Sequence, residues 1–138
     1  MSLQWPKSGP NDLSSYALPG IPWVTSSALA ASEVRRIAFP CVTKFLYIRN
    51  LGNTGSIAVG FSDNGVRGNP AAETHYMTLG PTSSLPILEL RIKDLFLRAI
   101  AGTPAFEVVA GLSTVEYSHF PVLTGSVDVV NEPFNGIG

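Results

Sequence analysis

The chain has 138 residues, 45% of them hydrophobic, enough to bury one core and too few for two domains. Charged residues make up only 14%, against ~25% in an ordinary soluble domain. The net charge is −1 with the nine Lys and Arg residues scattered, so the concentrated positive face of a nucleic-acid binder is not expected.

Residues 1–32 read as an extended N-terminal arm. Pro6, Pro10, Pro19 and Pro22 break helices and central strands, yet Trp5, Leu13, Tyr16, Leu18, Ile21, Trp23 and Val24 are too apolar for a solvated tail. Two tryptophans in such a segment need a surface to lie on, either the chain's own body or a neighbouring subunit. The neighbour is favoured, because extended arms gain affinity from main-chain pairing and side-chain pockets. Trp5, Tyr16, Leu18, Ile21, Trp23 and Val24 are therefore the candidate interface residues. The opening MSLQWPKSGPNDL lacks the basic start and apolar run of a signal peptide, and no apolar stretch approaches the ~20 residues of a membrane span. A protein made in a reducing cytosol and released, if at all, by lysis is expected, without a membrane partner.

Residues 33–130 read as an antiparallel β-sandwich, and 131–138 as a Gly-rich C-terminal tail. Glu33–Phe39 and Val42–Asn50 are separated by Pro40, which suits an edge or a bend between strands. ALAASEV at 28–34 has room for one helical turn. In Val42–Asn50, Phe45 and Tyr47 share one face and Leu46 and Ile48 the other, which predicts a strand covered on both sides. Ser56–Ser62 points Ile57, Val59 and Phe61 inward, and its outward Ala58, Gly60 and Ser62 are small enough for another backbone to approach. SDNG then reads as a tight reversal. THYMTL supplies a further alternating strand before the next turn.

In Ile87–Ile100 the apolar alternation runs on even numbers through Leu88, Leu90 and Ile92, then on odd ones through Leu95, Leu97 and Ala99. The slip at Lys93-Asp94 turns every side chain over, so a bulge or a bend between sheets is expected there. Phe106, Val108, Ala110 and Leu112 face inward opposite Glu107, Val109 and Gly111, and a weaker strand follows near Val122–Val130. About eight short strands without a helix of ordinary length predict an all-β sandwich of single jelly-roll type, with an immunoglobulin-like sandwich as runner-up.

Reactive groups are scarce. Cys41, the single cysteine, excludes an intrachain disulfide and suits a small buried hydrophobe. His75 and His119 have acidic neighbours, Glu73 and Glu116, but lack the clustered spacing of metal ligands. No serine is marked as partner to either, and Gly65-x-x-Gly68 is not followed by the helix of a phosphate loop. Asp63-Asn64-Gly65 lacks the spaced carboxylates of a calcium loop. Phe39, Phe45, Tyr47, Tyr76, Phe96 and Tyr117 are candidates for a sugar-stacking platform, although such spacing on strands suits core positions better. No catalytic residue, metal or cofactor is expected, and the protein does not read as an enzyme.

Several stretches resemble a family of short virion proteins of tailed phages, marine ones in particular. They are GIPWVTSSALAASEVRRIAFPCVTKFLYIRNLG at 20–52, IAVGFSDNGVRG at 57–68, HYMTLGPTSSLPILELRIKDLFLRA at 75–99, FEVVAGLSTV at 106–115 and FPVLTGS at 120–126, about two-thirds of the chain. The resemblance implies a single jelly-roll head component that decorates or cements the capsid or forms head fibres. A structural virion protein assembled in the host cytoplasm is thus the expectation, partnered by itself, as trimer or pentamer, and by a major capsid protein. The alternatives are a receptor- or glycan-binding module of a fibre or tail, favoured by exposed aromatics near Tyr76 or Tyr117, and a cupin-like enzyme.

Overall fold

The computed structural model describes residues 20–67 and 75–120. Alternating apolar residues lay down seven strands: β1 (Ile21–Ala28), β2 (Val34–Ala38), β3 (Cys41–Asn50), β4 (Ile57–Gly60), β5 (Tyr76–Leu79), β6 (Asp94–Ala99) and β7 (Ala105–Glu116). A five-residue helix, α1 (Asp63–Arg67), follows β4, and a 3-10 helix (Tyr117–His119) follows β7.

All pairings are antiparallel. β1, β7 and β3 form one sheet in that order, and β2, β6, β4 and β5 form the other. Residues 83–92 extend the first sheet along the open side of β3. Leu46 and Leu88 exchange backbone hydrogen bonds at 2.8 Å, and the amides of Thr43 and Asn50 bond the carbonyls of Ile92 (2.9 Å) and Ser83 (2.8 Å). Pro86 brings no N–H to this stretch, which pairs without forming a regular ladder. Among the described residues both layers are then four chains wide, and the fold is the expected all-β sandwich.

β1 lies inside the span expected to be an arm. It pairs with β7 along all eight of its residues, from Ile21 opposite Leu112 to Ala28 opposite Ala105, so residues 21–28 are part of the sandwich and the boundary expected at 32–33 lies inside the sheet domain. Pro22 fits because β1 is an edge strand, where a missing N–H need not break a ladder. Residues 1–19, the strand expected near Val122–Val130 and the tail at 131–138 lie outside the described residues.

Leu29, Phe39, Leu46, Ile48, Ile57, Val59, Leu95, Leu97, Phe106 and Val108 are buried between the layers. Leu88, Leu90 and Ile92 pack on this core from the first sheet, and Leu95, Leu97 and Ala99 from the second. The chain therefore changes sheets at Lys93-Asp94, where the sequence slips register. It also changes sheets at Pro40, between β2 and β3.

Two local expectations fail. SDNG opens α1 instead of reversing the chain. The Ser62 side chain accepts the Gly65 amide at 2.9 Å, its carbonyl accepts the Val66 amide at 3.1 Å, and Arg98 on β6 donates to the Val66 carbonyl at 2.7 Å. The small outward residues of β4 do admit a neighbour, and it is this helix: a Cβ on Gly60 would stand 3.2 Å from that of Val66. ALAASEV makes a tight turn rather than a helical one, closed by Glu33 N–H to Ala30 C=O at 3.0 Å with Ser32 at φ 58°.

Candidate contact surface

β3 and β7 are the two inner strands of the first sheet, and alternation gives each an outward face. Phe45 and Tyr47 on β3 and Glu107 and Val109 on β7 are half-buried, while Leu46, Ile48, Val108 and Ala110 fill the core. Strand register arranges the outward residues in rows. Val24, Val109 and Tyr47 stand side by side, flanked by Pro22, Gly111 and Phe45 on one side and by Ser26, Glu107 and Arg49 on the other. The bridge between Leu46 and Leu88 brings Ile87 beside Tyr47. An apolar row thus crosses the whole sheet, with Val24 63% and Ile87 64% exposed at its ends.

Phe45 lies flat on this surface, and only glycine fits beneath it. A Cβ on Gly111 would stand 2.2 Å from Phe45 Cε1, and one on Gly20 would stand 2.7 Å from the Gly111 Cα. Gly20, just before β1, therefore packs against Gly111 beside the Phe45 ring.

Of the candidate interface residues, Ile21, Trp23 and Val24 lie on β1, and Trp5, Tyr16 and Leu18 lie outside the described residues. Trp23 turns inward and meets Phe39 edge-to-face, ring centroids 5.0 Å apart, so this tryptophan serves the chain's own core. Ile21, 54% exposed, and Val24 remain open to a partner. The outward row was half legible: apolar residues on both faces of β3 announced a second contact, but Val24 and Ile87 join it only through strand register.

A polar cluster ties the two sheets at one end. Arg36 on β2 contacts Asp94 on β6 at 3.0 Å and donates to the Tyr117 hydroxyl, which lies 3.0 Å from Asp94 Oδ2. Lys93 stands 4.4 Å over the Tyr117 ring. Burial, then the bond to Asp94, pushes the Tyr117 hydroxyl pKa up, because both favour the neutral phenol. Asp94 in turn holds the proton on Arg36 more firmly. Charges satisfied in this way act as a latch between the two sheets.

The other chemical candidates stay apart. His119 lies 4.0 Å from Glu116, and Arg98 covers the Tyr76 ring at 5.4 Å. Cys41 is partly buried against the core. Among the described residues no three His, Cys, Asp or Glu side chains are grouped to hold a metal ion. Compared with known family models and with curated proteins, the sequence matches none.

Proposed function

We propose that this protein is a structural virion subunit, a β-sandwich that associates with copies of itself and attaches to the outside of a viral head. The observation that carries the reading is the apolar row from Val24 to Ile87, exposed at both ends and half-buried at Val109 and Tyr47, on a sheet that also holds Phe45. Surfaces of this kind mark contact with other proteins. Covering on the order of 300 Å² of apolar surface at ~25 cal/mol per Å² contributes about 7 kcal/mol before the costs of association. Repetition over a shell turns modest contacts into avidity.

The strand order supports the same reading. With residues 83–92 counted, the sheets run β1-β7-β3-(83–92) and β2-β6-β4-β5, the order produced by two Greek keys of a jelly roll. Among the described residues only β4 and β5 are neighbours both in sequence and in a sheet, whereas an immunoglobulin-like sandwich contains several such hairpins. Jelly rolls serve in viral capsids, lectins and cupins; the scattered polar groups described above suit the first better than a cupin's convergent ligands. On this reading Trp5, Tyr16 and Leu18 extend the contact onto an adjacent subunit or the major capsid protein.

The test is sedimentation of the full-length protein with expanded, emptied heads of the phage that carries it. Co-sedimentation that saturates at a fixed stoichiometry is expected, and protein left in the supernatant refutes the reading. Phe45 and Tyr47, two outward aromatics on one strand, favour a second reading as a glycan-binding module of a fibre or tail. Glycan-array binding lost in Tyr47→Ala would support it.

A further inference from the structure

We infer that the outer face of the β1-β7-β3 sheet is a self-association surface occupied by a second copy of this chain, with the two-fold axis running along the strands between β7 and β3. The rows of this face are self-complementary in composition. Across the central strand pair, Glu107 stands opposite Arg49, Val109 opposite Tyr47 and Gly111 opposite Phe45. Each row therefore sets an anion against a cation, or a small residue against an aromatic one.

A two-fold rotation about that axis lays β7 of one copy over β3 of the other. Glu107 then meets Arg49, Val109 meets Tyr47 and Val24 approaches Ile87, each contact occurring twice. An isologous interface requires this self-complementarity. Sheets packed face to face stay within about 30° of alignment, so the central rows keep these partners while the corners diverge. Arg49 is exposed and Glu107 half-buried, and although they are cross-strand neighbours no ion pair of either is formed among the described residues, so both charges can engage a second copy.

A face four chains wide spans about 19 Å. It supplies somewhat less than the ~800 Å² per partner of a standard interface, so the dimer is concentration-dependent. The inference uses the contact surface and not the virion assignment. Its test needs only the protein, so failure to self-associate and failure to bind heads are separate results.

Sedimentation equilibrium of the full chain is the measurement. The wild-type mass is expected to approach twice the monomer with rising concentration. Arg49→Glu and Glu107→Arg, each alone, are expected to stay monomeric, because like charges then face each other across the axis. An equimolar mixture of the two is expected to regain the dimer, since two anions of one variant meet two cations of the other, while strain within either copy is unchanged. Ile87→Lys, at an exposed position outside the core, is expected to weaken association at least about tenfold, the factor given by 1.4 kcal/mol. A wild-type protein that stays monomeric, as it would with this face covered by its own terminal segments or reserved for a capsid protein, overturns the inference. So do reversed-charge variants that dimerise alone, a mixture that does not, or an Ile87→Lys variant as associated as the wild type.

Discussion

Gly111 and Phe45 show how a single missing side chain shapes a surface. The ring occupies the place of a Cβ at residue 111, so Gly111→Ala must lift the aromatic off the sheet. A destabilisation of about 1–3 kcal/mol is expected from such overpacking. Thermal melts check it, and the cost should shrink in a Phe45→Ala background if the clash is its cause. Thr82 presents the opposite case, a β-branched residue at φ 51° in an exposed turn. Its amide bonds the Gly52 carbonyl at 2.8 Å, which holds the turn in place. Thr82→Asn keeps that amide and tolerates the left-handed conformation, so a gain of about 0.5–1 kcal/mol is expected as a higher melting temperature. Neither position was legible in the sequence. A glycine's outward place in a strand was visible, but the ring above it depends on the register between β7 and β3. Inward residues were read with success because period-two alternation is local: Phe106, Val108, Ala110 and Leu112 are all buried as expected.

At the level of elements, breaks in alternation told more than alternation did. The slip at Lys93-Asp94 and the proline at position 40 both mark crossings between sheets, because one strand cannot present a continuous inward face to two layers. α1 escaped notice for a physical reason. Five residues cannot hold a helix alone, and this one stands on the Ser62 cap, the Arg98 bond and the small residues of β4. The latch of Arg36, Asp94 and Tyr117 was equally hidden, since it joins residues from three separate elements. It carries a pH signature. The folded state raises the Tyr117 pKa above its ordinary value of about 10, so the stabilisation is complete below that pH and is lost as pH rises through the higher folded value. Glu33 gives the mirror image at acid pH. The Ala30 amide, then Arg35, lowers its pKa, so that contribution is present above the ordinary carboxylate range and is lost as pH falls through the folded value. Urea unfolding across pH is expected to show both edges. Tyr117→Phe should flatten only the alkaline one and Glu33→Gln only the acid one.

For the whole molecule, the relation between arm and sandwich decides how the proposed attachment is tested. Removing residues 1–32 would delete β1, strip β7 of its partner along eight residues and expose the flank of Phe39 on which Trp23 packs. Burial of an aromatic of that size contributes roughly 1.5–3 kcal/mol, and the edge of β7 would be left open besides. Such a truncation is expected to lose cooperative unfolding, and any loss of head binding would then report a broken fold. A chain beginning at Gly20 keeps β1, Trp23 and the whole apolar row from Val24 to Ile87. It is expected to melt cooperatively within a few degrees of the full chain, as scanning calorimetry would show, because none of the described core is removed. If Trp5, Tyr16 and Leu18 anchor the subunit to its neighbours, this shorter chain folds and self-associates but occupies fewer sites on the head. Full occupancy by the chain from Gly20 would remove the arm from the attachment.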